Sequence, residues 1–238
     1  MKNEVKIVVE YNDNGYLLYV ANYPGAFARG KTKEEALSKI PMEILSYDAR
    51  RNNTVIKSDF SVVIVQEWKT DLNVSDADSD VFFDSEKIPL TKDEYISLKE
   101  LVLKSAKDFK TLYDSIPDKD FTTRQSRKTF YGNVPLTANE MMLHTNNVTS
   151  YYMAQLGIQM NNAADICENR LGAIRRMEML PDYLNSTATI GDYGEWWSPR
   201  KVLRRFIWHD RIHAKAMYRM AIDIWGKDAV ENPFCFIL

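Results

Sequence analysis

Ser198-Pro199-Arg200-Lys201-Val202-Leu203-Arg204-Arg205-Phe206-Ile207-Trp208-His209-Asp210-Arg211-Ile212-His213-Ala214-Lys215-Ala216-Met217-Tyr218-Arg219-Met220 begins with a residue suited to cap a helix and a proline suited to its first turn, and no breaker follows before Gly226. Val202, Phe206, His209, His213, Ala216 and Met220 recur at steps of three and four, which places them on one apolar side of that helix. Two imidazoles four residues apart therefore project inward together, one turn from each other.

Upstream, the same period recurs. Thr137-Ala138-Asn139-Glu140 is a capping box behind Pro135, and its helix is expected to run to about Gly157. Residues 163–180 predict another helix, stopped by Pro181. Thr91-Lys92-Asp93-Glu94 is a further capping box, followed by Tyr95, Leu98, Val102, Ser105, Phe109, Leu112 and Ile116 on one face. Residues 89–238 are thus predicted as an all-α, up-down four-helix bundle.

The chain has three histidines, His144, His209 and His213, all in this helical part. His144 lies one turn from Glu140 and beside Met141 and Val148, so it also faces inward. A lone inward histidine is ordinarily a core residue hydrogen-bonded to a carboxylate or hydroxyl, because an unpaired buried imidazole costs about 1–3 kcal/mol. That reading stays open. A third inward imidazole on a facing helix favours a metal site, since bundle cores are recurrent places for one. Three imidazoles suit Zn, Ni, Fe or Cu and leave positions for water or substrate. Asp210 follows His209 where the H-E-x-x-H proteases carry glutamate, which argues against a peptidase. Arg205 and Asn147 are candidates to line the open side and hold an anionic substrate, against the alternative of a solvated arginine. Glu140 and Asp210 are candidates to fix imidazole tautomers, against ordinary surface ion pairing. Trp196, Trp197 and Trp208 are read as packing.

His144 in the second helix, the run Gly194-Glu195-Trp196-Trp197-Ser198-Pro199-Arg200-Lys201-Val202-Leu203-Arg204-Arg205, and Trp208-His209-Asp210-Arg211-Ile212-His213 together resemble the DinB/YfiT superfamily over about residues 89–238. The resemblance implies a bundle that binds a divalent ion, nickel or zinc, through three histidines, which map onto His144, His209 and His213. It also implies a metal-dependent transferase that activates a low-molecular-weight thiol, such as bacillithiol or mycothiol, toward a small-molecule substrate. A homodimer is compatible with it. Metal-assisted hydrolysis is the variant chemistry. The competing class is a non-catalytic binding or regulatory protein with a structural metal.

Toward the N-terminus the pattern changes. Val5-Lys6-Ile7-Val8-Val9 and Tyr16-Leu17-Leu18-Tyr19-Val20 flank Asn12-Asp13-Asn14-Gly15 and predict a hairpin. Ala26-Phe27-Ala28-Arg29-Gly30 predicts a third strand, Thr32-Lys33-Glu34-Glu35 caps a helix that Pro41 should kink or weaken, and Ser61-Val62-Val63-Ile64-Val65 predicts a fourth strand. Residues 1–68 are thus expected to form a small α+β domain. The run Tyr19-Val20-Ala21-Asn22-Tyr23-Pro24-Gly25-Ala26-Phe27-Ala28-Arg29-Gly30-Lys31-Thr32-Lys33-Glu34-Glu35-Ala36 resembles the HicB antitoxin-type domain. The resemblance implies a module that docks a protein partner or senses a signal. No basic DNA-binding segment follows it, which speaks against repression. Residues 69–88, with Asp71, Asp76, Asp78, Asp80, Asp84 and Glu86, are expected to be a solvated acidic linker. Asp76-x-Asp78-x-Asp80 lacks the glycine and late glutamate of an EF-hand, so calcium is set aside.

Composition bounds the rest. A chain of 238 residues, 45% hydrophobic and 27% charged, can bury a sizeable core. Its net charge of −2 supplies no electrostatic case for a nucleic-acid partner. No charge-free stretch is long enough for a bilayer, and the charged start Met1-Lys2-Asn3-Glu4-Val5-Lys6 does not suit a signal peptide, so a cytoplasmic protein without a membrane partner is expected. Two cysteines, Cys167 and Cys235, form no disulfide framework.

Overall fold

Alternation along the first strands sets the N-terminal architecture. β1 (Asn3–Asn12) turns through Asp13 and Asn14 into antiparallel β2 (Gly15–Val20), with Ile7 opposite Val20 and Asn12 opposite Gly15. β3 (Phe27–Gly30) pairs antiparallel with β2, and β4 (Phe60–Lys69) pairs parallel with β1, so the sheet order is β3-β2-β1-β4. The computed structural model describes residues 3–52, 60–129, 132–185 and 187–238; Met1 and Lys2 of the charged start and residues 53–59 of the N-terminal unit lie outside the described residues. Between β3 and β4 the expected helix is two: α1 (Lys33–Ser38), capped by Thr32 accepting from the Glu35 amide, and α2 (Ile40–Asn52). Pro41 sits in the first turn of α2, where its missing N–H is harmless, and the break falls at Lys39 just before it.

Both sheet faces are covered, which is why β1 and β2 are rich in consecutive apolar residues. Val5, Ile7, Val9, Leu18 and Val20 pack on Ala36, Ile40, Ile44 and Tyr47. On the opposite face Val8, Leu17, Tyr19 and Phe27 pack on Val74, Val81, Phe83 and Trp208. β4 differs: it is an edge strand, and Val62, Val63, Ile64 and Val65 are exposed.

The contacts of Val74, Val81 and Phe83 correct the reading of residues 69–88. The segment is not a solvated linker but is wedged between the sheet and the helical part. Its acidic side chains are used as ties: Glu86 is buried against Arg204, and Asp80 accepts from Trp68 Nε1 at 2.9 Å. Held by side chains rather than by a ladder, such a segment carries no period for sequence reading to detect.

Four long helices follow: α3 (Lys92–Ser115), α4 (Ala138–Ala154), α5 (Ile166–Glu178) and α6 (Pro199–Trp225). Thr91 with Glu94 and Thr137 with Glu140 close both expected capping boxes, Asp165 caps α5, and Ser198 accepts from the Lys201 amide. α3 packs on α6 and α5, and α4 packs on the same two. The chain is therefore a mixed α/β protein, with a small N-terminal sheet and its helices set against longer helices. Among the described residues no helix is long and apolar enough to cross a membrane.

α6 organises the whole. Residues 201–211 are buried without interruption, because the helices cover one side and the N-terminal unit with residues 69–88 covers the other. The contact is tight at Gly25, whose φ of +93° suits glycine and where a Cβ would lie 2.6 Å from Ile207 Cγ2. Buried ion pairs cross the same boundary. Arg211 Nε donates to Glu43 Oε1 at 2.6 Å, and Arg50 Nε donates to Asp108 Oδ2 at 2.7 Å.

Candidate metal centre

His209 and His213 come from consecutive turns of α6, and α4 brings His144 across to them. The ring centroids are 4.4 Å apart for His209 and His213, 4.6 Å for His144 and His213, and 5.0 Å for His144 and His209. One ligand nitrogen from each ring lies within 4.8 Å of the others. His144 Nε2 and His209 Nε2 face each other at 3.2 Å. Two nitrogens bound at about 2.0–2.1 Å to one tetrahedral ion would stand roughly 3.3 Å apart. The three histidines could thus hold a metal ion, with roughly 1.5 Å of closure between the widest pair.

Apart from the hydrogen bond between His144 and His209, the surroundings offer the imidazoles few polar partners. Among the described residues no carboxylate joins the group, and the buried His209 Nδ1 has no hydrogen-bond partner. Burial pushes His209 well below the usual histidine range, with His213, His144 and Arg205 adding to the effect. His213 is pushed down to about 3 by burial, with His144 and Arg29 contributing, and burial also lowers His144. All three are neutral at pH 7, the form that ligates. His209 is buried, whereas His144 and His213 are half-buried, so the cluster is reachable from outside.

Glu140, Asp210 and Asn147 are engaged elsewhere, and Arg205 is only partly turned to the site. The Glu140 carboxylate is exposed and turns back to its own helix end, where Oε2 accepts from the Leu136 amide at 2.7 Å. Asp210 is buried and takes a two-point contact from Arg170, at 3.0 and 3.1 Å, away from the imidazoles. Asn147 is exposed, and its backbone carbonyl accepts from Asn162 Nδ2 at 3.0 Å. Arg205 is buried rather than solvated. Its Nη1 donates to the Ser79 carbonyl at 3.2 Å and its guanidinium lies 5.0 Å from the Trp208 ring, which ties it to residues 69–88. Trp197 and Trp208 are packed, as expected, whereas Trp196 is exposed.

Tyr152 is the neighbour that the spacing could have revealed. It lies eight residues after His144 on the same stripe of α4, and its ring meets His209 edge to face at 6.0 Å between centroids. Arg170 carried no such signal, since only the fold brings α5 onto Asp210.

Set against known proteins, the chain matches no family model, no curated protein and no solved structure.

Proposed function

We propose that His144, His209 and His213 hold one divalent ion, nickel or zinc, in a metal-dependent enzyme whose helices α3–α6 form a four-helix bundle of the DinB/YfiT type. The observation that carries this reading is the convergence of three imidazoles with no carboxylate among them. A bound divalent ion lowers the pKa of a coordinated thiol or water and so supplies a nucleophile at neutral pH. Thiol-dependent transfer to a small molecule is the reaction we favour, with hydrolysis as its variant. The chain's own part is to present neutral imidazoles, to keep Tyr152 against His209 on the buried side, and to leave the His144 and His213 side accessible to substrate. Around Phe109, Leu112, Met217 and Met220 the helices share an apolar core of their own, which favours a reactive over a structural ion. The HicB-like N-terminal unit is read as a docking or sensing module.

Elemental analysis of untagged protein tests the site: about one ion per chain is expected, lost in His144→Ala, His209→Ala and His213→Ala alike. Absence of a stoichiometric ion, before and after incubation with nickel or zinc, would refute it. Consumption of a low-molecular-weight thiol with an electrophilic acceptor should fall together with metal content. Metal loss that lowers the melting temperature, in a protein showing no turnover, would instead favour the structural role.

A further inference from the structure

A cavity of about 370 Å³ opens where the edge of β3 and the start of α1 meet α6. Arg29, Lys31, Lys39, Lys215 and Arg219 line it, drawn from both the N-terminal unit and α6. The carboxylates in its wall are Glu35 and Glu43, and both are already engaged. Glu35 Oε1 accepts from Lys39 Nζ at 2.7 Å, while Glu43 accepts from Arg211 Nε at 2.6 Å and from Lys215 Nζ at 2.9 Å. Arg29 and Arg219 both line the cavity, close enough for the charge of Arg219 to act on Arg29. Arg29 Nη1 donates to the Ser75 carbonyl at 3.0 Å, and Asp76, whose field reaches Arg29, is itself paired with Arg127. Among the described residues no carboxylate lies within ion-pair distance of Arg219. With Lys39 and Lys215 already paired to the two carboxylates, the five basic side chains of the wall leave a surplus of positive charge at Arg29, Lys31 and Arg219, which forms a seat for an anion, and a planar guanidinium matches a phosphate or carboxylate face. The volume suits a metabolite rather than a polymer.

We propose that this cleft binds a small organic anion, its phosphate or carboxylate group held between Arg29 and Arg219, with the N-terminal sheet and α6 each supplying one wall. The N-terminal unit then completes a binding site. The seat lies near the candidate metal centre, because Ala216 of its wall is one turn from His213 on α6 and the charge of Arg29 reaches His213. The proposal stands whether or not the histidines hold an ion.

Isothermal titration of the purified full-length protein with inorganic phosphate, and separately with tricarballylate, at constant ionic strength tests it. Saturable binding at one site per chain is expected with at least one probe, and the tighter probe identifies the acidic group preferred. Arg219→Gln should weaken that binding about ten- to a hundredfold. Lys227→Gln, an equal change of charge outside the cleft, should change it less than about twofold. Arg219 is exposed, so its variant should fold; if far-UV circular dichroism shows otherwise, Lys31→Gln takes its place with the same expected loss. No saturable binding of either probe, or equal loss in the Arg219 and Lys227 variants, would overturn the proposal. So would binding that survives Arg219→Gln yet disappears in His213→Ala, since the anion would then sit on the metal centre.

Discussion

Glu43→Ala should separate the N-terminal unit from α6 energetically, at a cost that follows from its contacts. Glu43 is 3% exposed and Arg211 0% exposed. Burial alone would raise the Glu43 carboxyl, but the Arg211 and Lys215 charges outweigh it and hold it below the usual carboxylate range. Without the carboxylate, Arg211 keeps two neutral acceptors, Ser46 Oγ at 3.0 Å and the Phe234 carbonyl at 3.5 Å, and no counter-charge. Lys215, half-buried beside the cleft, can turn to water; Arg211 cannot. Removing one partner of a buried pair costs about 3–5 kcal/mol. For a chain of this size each kcal/mol lowers the melting temperature by roughly 2–4 °C, so a fall of about 6–20 °C is expected. Urea unfolding followed by tryptophan fluorescence reads it directly, because buried Trp208 packs where the N-terminal unit meets α6. The double variant Glu43→Leu, Arg211→Met should recover most of the loss, since apolar replacement of a whole buried pair is often neutral. A loss below about 1 kcal/mol in Glu43→Ala, or a double variant no better than the single one, would show that water reaches Arg211 and that this boundary is not dry.

Three other outcomes follow from the same structure. Burial pushes the Glu10 carboxyl up to about 7 from 4.5, so the folded chain binds that proton more tightly than the unfolded one. Stability should therefore fall as pH rises from about 4.5 to 7, by an amount of the order of 3 kcal/mol, and Glu10→Gln should flatten that part of a urea midpoint-against-pH profile. Gly25→Ala, which must accept φ of +93° and a Cβ pressed against Ile207, should destabilise by about 1–3 kcal/mol in the same assay. Metal added at about a thousandfold excess over its dissociation constant should stabilise the wild type by about 4 kcal/mol in differential scanning fluorimetry, and His209→Ala should abolish that response.

What is legible in the chain is local chemistry. The starts of α3, α4 and α6 can be read because Thr91, Thr137 and Ser198 cap amides three residues ahead, an interaction written within one turn. The histidine pair can be read because four-residue spacing fixes a common side of a helix, and His144 because its apolar neighbours orient it. Residues 69–88 resist such reading, since their fixing contacts lie far away in sequence: Glu86 meets Arg204, and Lys201 Nζ donates to the Asp80 carbonyl at 3.2 Å. The exposure of Val62 to Val65 is equally hidden, because a strand's own alternation does not tell whether it lies at the edge of its sheet.

Arg205 shows why an arginine on a helix flank is misread from sequence, and its lesson extends along α6. An amphipathic helix on a bundle surface would leave Lys201, Arg204, Arg205 and Arg211 in water, and its sequence looks like that. Here each is buried and meets a partner from outside the four long helices: Lys201 the Asp80 carbonyl, Arg204 Glu86, Arg205 the Ser79 carbonyl, Arg211 Glu43. The polar side of α6 is therefore a row of sockets for residues 69–88 and α2, and a buried cation tolerates its position only if such a socket is filled. Arg219 lies about two turns beyond Arg211 on the same helix, past the end of that row. It is exposed, lines the same cavity as Arg29, and has no acidic partner among the described residues. A helix that matches each of its buried cations with an oxygen thus leaves this guanidinium unmatched, at the mouth of the cleft between the two halves of the chain. That contrast is the physical reason to look for the missing oxygen in a ligand.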